Sequence, residues 1–218
     1  MTDKTRGQET KLRVLEEACK VFAEKGYRDA THAEICRRAG TNIAAINYYF
    51  SSKEILYQSV FDHLAAKEDA LYPLCGNLPE DAPPENRLRA FIHAHLNRAF
   101  SPEPHSSLHS IHMSEMFDPT GLLKERMGKQ LAKNRAPILR LLRDLLGPDA
   151  AQRDIEWCEM SIVSQCFMAA APGPQEDGPR VLFGLTPENI DDITDHILRF
   201  SLAGIKAQRE AIHKHITK

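Results

Sequence analysis

From Leu12 onward, apolar residues return every three or four positions, and no stretch long enough for a strand alternates with a two-residue period. A chain patterned this way hides its apolar surface by packing helix on helix, so the sequence predicts an all-α fold. Leu12, Leu15, Cys19 and Phe22 make one face of a first helix, and Gly26 falls where a C-capping glycine belongs. Thr31 and Glu34 have capping-box spacing, which opens a short helix running to about Arg38 and stopping at Gly40. Asn42 is a good cap for a second short helix from Ile43 to about Tyr49, and Ser51 to Glu54 reads as a further capping box before a longer helix.

Beyond Leu71 the punctuation is coarser. Pro73, Pro79, Pro83 and Pro84 with Gly76 predict a connection, followed by helices over about 84–100 and 105–117 with a break at 101–104. Asp118 to Gly121 reads as a turn. A long helix follows to Leu146, with a kink or break expected at Pro137. Another helix spans about 150–170. A Pro- and Gly-rich loop covers 172–184, and a last helix starts near Pro187 and runs towards Ile216.

The two short helices and their glycine-containing turn form a helix-turn-helix pattern. A reading helix of this kind enters the major groove with its N-terminal residues, so small and hydrogen-bonding side chains suit it. Ala44 and Ala45 allow close approach to base edges and thymine methyls. Asn47 offers the donor and acceptor that adenine presents. Tyr48 and Tyr49 bring hydroxyls and flat rings to phosphate and sugar. Lys53, at the N-terminus of the next helix, adds a full charge to the helix dipole, which predicts a phosphate contact; Thr31 sits in the same way on the preceding helix. Charge distribution agrees. The formal net charge is only −2, yet residues 1–53 hold ten Lys/Arg against seven Asp/Glu, and the rest hold 18 against 23. A mildly basic head on an acidic body suits DNA contact at one end.

Leu12–Leu56 resembles the N-terminal domain of the TetR/AcrR family of bacterial transcriptional regulators. The resemblance rests on Ala18, Phe22, Gly26-Tyr27, Thr31, Ile35, Ala39-Gly40 and above all the run Ile43–Leu56. The family usually carries Tyr where Asn47 stands and often His where Tyr49 stands; the Asn-Tyr-Tyr-Phe sequence is similar to the CecR-like branch. Met113–Pro119 and Ser161–Cys166 also resemble the C-terminal domain of that branch. The resemblance implies a homodimer with an N-terminal three-helix DNA-binding domain, residues 1–52, and a C-terminal helical ligand-binding and dimerisation domain, residues 53–218. It further implies that Thr31, Asn42, Ala44, Ala45, Asn47, Tyr48, Tyr49 and Lys53 face a double-stranded operator. A small-molecule inducer in the C-terminal domain would then lower operator affinity, making the chain a ligand-responsive regulator and most simply a repressor of a palindromic operator.

In the body, Ile190, Ile193, Ile197, Phe200 and Gly204 recur at helical steps, with Leu198, Leu202 and Ile205 widening the face. That pattern fits a helical dimer interface shared with Ile155, Cys158, Ile162 and Phe167; periodicity alone also allows burial within one subunit, and the resemblance favours the dimer. His105, His109 and His112 share one helix face with Glu115, a spacing that can bind a transition metal or serve as a polar pocket wall. His112, Glu115, Met116, Trp157 and Gln165 are candidate ligand-binding residues, with Met113, Phe117, Phe167 and Met168 as apolar walls. No cofactor is implied. No phosphate loop, nucleophile elbow or metalloprotease motif is present, so a non-enzyme is expected; the competing readings are a helical metal-binding or adaptor protein, or an enzyme without a recognisable motif. The five Cys are widely spaced, and no apolar run approaches the roughly 18–20 residues of a membrane span. The N-terminal MTDKTRGQETK is charged, which predicts no secretory signal, and an odd number of Cys with no C-x-x-C predicts a reducing cytoplasm.

Overall fold

The computed structural model describes residues 3–74, 78–79, 81–100, 105–170 and 184–216, and within these the side chains of 3–5, 99, 105–106, 168–170 and 215–216 are left aside. Every regular element described is helical: α1 (Asp3–Asp29), α2 (His32–Ala39), α3 (Ile43–Phe50), α4 (Lys53–Leu71), α5 (Pro84–Phe100), α6 (His105–Phe117), α7 (Lys124–Leu146), α8 (Gln152–Ala170) and α9 (Ile190–Ile216), the last preceded by a single 3₁₀ turn at Pro187–Asn189. No described helix is long and apolar enough to cross a membrane. The expected loop over 172–184 and Cys75 lie outside the described residues, apart from Gly184.

Two compact units form. The first comprises residues 1–68 and 102–130, the second 69–101 and 131–218. In the first, Val14, Ala18 and Phe22 of α1 pack with Ile35 of α2, Ile46 and Phe50 of α3, Leu56, Tyr57 and Phe61 of α4, and Leu108 and Ile111 of α6. The buried line of α1 therefore runs through Val14 and Ala18. Leu12, expected on it, is 47% exposed, because α2, α3 and α6 cover a stripe rotated away from it. Each fully buried aliphatic or aromatic side chain here contributes about 1.5–3 kcal/mol.

Gly26 ends the regular part of α1 with φ 71° and ψ 178°, a backbone state only glycine adopts without strain, and a Cβ there would lie 3.1 Å from Ser114 Oγ. The second unit packs Leu88, Ile92 and Leu96 of α5 against Ile138, Leu141 and Leu142 of α7, Ile155 and Ile162 of α8, and Ile197 and Ile205 of α9. Helix α7 runs unbroken through Pro137. An interior proline costs about 3 kcal/mol. The apolar burial of Ile138, Leu141, Leu142 and Leu146 directly after it outweighs that cost, so the expected break does not occur.

A polar cluster is buried in the first unit. Glu115 Oε1 accepts from Tyr57 Oη at 3.1 Å and from Thr120 Oγ1 at 2.6 Å, and Oε2 accepts from the Thr120 N–H at 3.1 Å. Burial, and then the adjacent carboxylate, push the Tyr57 hydroxyl well above the usual tyrosine range. Glu115→Ala orphans the Tyr57 hydroxyl and frees the Thr120 turn, and is expected to destabilise by about 1–3 kcal/mol. Tyr57→Phe leaves Glu115 both Thr120 donors and should cost about 1 kcal/mol. Urea unfolding of the two single variants and the double variant checks this: the double should lose less than the sum, and strict additivity would disprove the shared bond.

Candidate nucleic-acid interface

Helix α2 starts at Thr31, whose Oγ1 accepts from the Glu34 N–H at 3.2 Å. Only this half of the capping box forms. The Glu34 carboxylate turns instead to Lys25 and Arg38, and Arg38 also binds both oxygens of Glu24. Gly40, at φ 60° and ψ 42°, ends α2 in the left-handed conformation, and the Thr41 N–H donates to Cys36 O at 2.9 Å. Asn42 caps α3 by accepting from the Ala45 N–H at 3.1 Å through Oδ1, a bond that does not use its amide NH₂.

Helix α3 is held from one side only. Ile46 and Phe50 are buried, Ala44 and Asn47 are exposed, and Tyr48 is 81% exposed. Tyr49 is half-buried and packs against the first core, with the Tyr48 and Tyr49 rings meeting edge to face at 4.9 Å. Tyr48 thus faces outward with the small residues while Tyr49 leans on α1. Ser51, at φ 62°, closes α3 with its N–H on Asn47 O at 3.1 Å. The cap of α4 is Ser52, whose Oγ accepts from the Ile55 N–H at 3.3 Å, one residue later than the Ser51–Glu54 spacing suggested.

Lys53 is placed where the sequence predicts, at the first position of α4, but its ammonium is engaged. Nζ donates to Arg28 O at 3.2 Å and lies 4.5 Å above the Tyr27 ring, and burial lowers its pKa below the usual lysine value. Arg28 in turn donates to Asp118 at 2.7 and 3.2 Å through Nε and Nη2. The guanidinium beside Asp118 holds that carboxyl below its usual range. These partners are far apart in sequence, so no local pattern signals them.

The candidate ligand residues fall in both units. His112, Glu115 and Met116 belong to the first unit, Trp157 and Gln165 to the second. His112 Nδ1 is 3.0 Å from Leu108 O, and its ring meets Phe61 edge-on at 5.4 Å. Glu115 is occupied by Tyr57 and Thr120, and Met116 is exposed. Trp157 and Gln165 line a cavity of about 200 Å³ with Cys158, Phe200 and Gly204 on the outward faces of α8 and α9. The side chains of His105 and Met168 lie outside the described set, and the described residues hold no group of three or more metal-ligating side chains.

Three of the described thiols are shifted towards the protonated form. Burial pushes Cys166 up to about 12 and raises Cys36 and Cys158 above the usual thiol range. At pH 7 a thiol buried this way stays protonated and is a poor nucleophile. Iodoacetamide at neutral pH is expected to spare Cys36 and Cys166 in the folded protein and to label both in urea. Peptide mapping that finds Cys166 alkylated in the native state would contradict this.

The comparisons with known proteins agree with this arrangement. Residues 14–60 match the family described as bacterial regulatory proteins, tetR family, and residues 84–205 match the C-terminal domain of the HTH-type transcriptional dual regulator CecR. The chain is 30% identical to the HTH-type transcriptional regulator SrpR of Pseudomonas putida over 120 residues, 55% of this chain and 53% of SrpR, so it spans about half the length of that relative. It is 48% identical to the dual regulator CecR of Shigella flexneri over 52 residues, 24% of this chain and 23% of CecR. The crystal structure of a TetR transcriptional regulator from Chloroflexus aurantiacus superposes with a TM-score of 0.66 at 18% identity, covering 90% of this chain and 96% of that one, a likeness of fold alone. With the CecR-type match covering more than half of its length, the chain belongs to the TetR family of bacterial regulatory proteins, in the group that carries a CecR-type C-terminal domain.

Proposed function

We propose that the protein is a DNA-binding transcriptional regulator that acts as a homodimer, most simply a repressor released from a palindromic operator when a small molecule binds its C-terminal domain. The observation that carries this reading is the one-sided anchoring of α3. Ile46 and Phe50 fasten it to the core, while Ala44, Asn47 and Tyr48 stand exposed on the side away from it. A short rigid helix with small and amide side chains outward suits a major groove. Residues 1–52 supply the reading head and 53–218 the regulatory region; Thr31, Asn42, Ala44, Ala45, Asn47, Tyr48, Tyr49 and Lys53 are its DNA-facing set. The relatives matched are named transcriptional regulators, which supports regulation over catalysis.

The dimer surface in this reading is the outward face of α8 and α9. Phe200 is 66% and Trp157 57% exposed, and a Cβ at Gly204 would meet nothing within 4 Å, so a second helix can approach closely. Two-fold pairing there would present two reading helices to a two-fold operator. Gel shifts with genomic fragments over a salt series test the function. A preferred duplex is the expected result, and equal, weak binding to all fragments would point instead to a helical adaptor.

An inducer shifts the population only if it binds the low-affinity conformation better than the DNA-competent one. A coupling of about 1–3 kcal/mol is expected, felt equally by operator on inducer. An inducer that binds the saturated DNA complex as tightly as the free protein would exclude this linkage.

A further inference from the structure

DNA phosphates need cations that the protein's own carboxylates do not already hold. In the first unit most of the cations near α2 are taken. Lys25 pairs with Glu34, Arg28 with Asp118 and Arg38 with Glu24 and Glu34, while Lys53 donates to a backbone carbonyl. Arg6 and Lys11 differ. Both are exposed, and among the described residues neither makes an ion pair. They lie on the first turns of α1, where they line a groove of about 780 Å³ with Gly7, Gln8, Thr10, Tyr48 and Tyr49. Among the described residues, that lining holds two cations and no carboxylate. Gly7 keeps the floor low: a Cβ there would sit 3.4 Å from Tyr49 Oη. Lys11 Nζ lies 5.6 Å from the Phe50 ring centroid, so its stem runs along the end of α3.

We propose that this groove seats the sugar–phosphate backbone of DNA, with Arg6 and Lys11 binding phosphates and the exposed Tyr48 ring lying against sugar. The inference rests on the proposed reading role of α3 and extends its footprint onto α1. Tyr48 is shared between the groove and the outward face of α3, so a duplex read by Ala44 and Asn47 would carry its backbone past Arg6 and Lys11. An arginine brings a planar fork suited to phosphate oxygens and a lysine a mobile point charge; Gln8 adds a neutral donor, while the Thr10 hydroxyl donates to Arg6 O at 3.0 Å.

The test is a salt series on the full chain with an operator recovered by selection from random duplexes and with one random duplex. Arg6→Gln combined with Lys11→Gln should weaken both duplexes by the same factor. The slope of log Kd against log salt should fall by about 0.9 for each lost phosphate contact, about 2 per protomer. Lys206→Gln combined with Lys214→Gln removes the same charge from α9 and should leave the slope unchanged. An unchanged slope in the α1 variant overturns the proposal, as does an equal fall in the α9 variant or a loss confined to the operator. A wild-type protein that selects no duplex overturns the reading role of α3 beneath it. A wild type that selects an operator, with an α1 variant of unchanged slope, overturns the groove alone.

Discussion

Phe200→Asp is expected to turn a dimer into a monomer. Phe200 stands 66% exposed on α9 beside Trp157 and Gly204, so a charge there costs the isolated protomer little. In a two-fold interface the same residue is removed twice, once from each copy. A buried aromatic anchor is worth about 2–4 kcal/mol on truncation, so the pair of changes should raise the dimer dissociation constant by roughly 10³-fold or more. Operator affinity should fall with it, since one reading helix then binds alone. Ile197 is the instructive contrast. It is one turn earlier on α9 yet only 5% exposed, inside the second core. Ile197→Asp buries an unpaired carboxylate and should unfold that unit rather than separate intact protomers. Light scattering at micromolar concentration with parallel thermal melts distinguishes these outcomes. A monomeric wild type, or a Phe200→Asp variant that stays dimeric, would remove the proposed interface.

Asn47→Ala is expected to erase much of the preference for the operator while leaving the salt dependence of binding almost unchanged. Asn47 is exposed on α3; in the proposed reading role its amide pairs with a base edge, and it carries no charge to displace counterions. A lost base contact costs about 1–3 kcal/mol, and a palindrome loses it in each half-site. Lys53→Ala should behave otherwise. One of its three donors is already spent on Arg28 O, and its ammonium covers Tyr27, so the change should loosen the end of α1 as well as weaken operator and random duplex alike. Dissociation constants for operator and random duplex across a salt series, read with melting temperatures, decide between the two roles. Equal weakening of both duplexes by Asn47→Ala would move that residue to the phosphate-contacting set and leave Ala44, Ala45 and Tyr48 to read sequence.

Much of the fold is legible in the chain because its signals are local. Gly40 stops α2 through a backbone conformation that few other residues adopt, and Asn42 starts α3 with a side chain that reaches three residues ahead. Spacings of three and four set which residues of each helix are apolar, and so the all-helical class. The run Ile43–Leu56 carries the family resemblance because the short reading helix, its cap and the start of α4 are contiguous in sequence.

What tertiary structure alone decided concerns partners distant along the chain. Periodicity marks α9 as apolar on a broad face, but packing against α5 and α8 is what turns Ile197 inward and leaves Phe200 outside. Pro137 announces a break that the burial around it overrides. Glu115 is a candidate ligand residue by sequence, and only the fold brings the Tyr57 and Thr120 hydroxyls to donate to it. Lys53 sits where a phosphate-binding lysine belongs, and only the fold brings Arg28 O and Tyr27 to its ammonium. Local sequence sets caps and periods because those interactions span about one helical turn. Which polar groups are spent inside the protein, and which stay available to a partner, depends on contacts between residues that meet only when the helices pack.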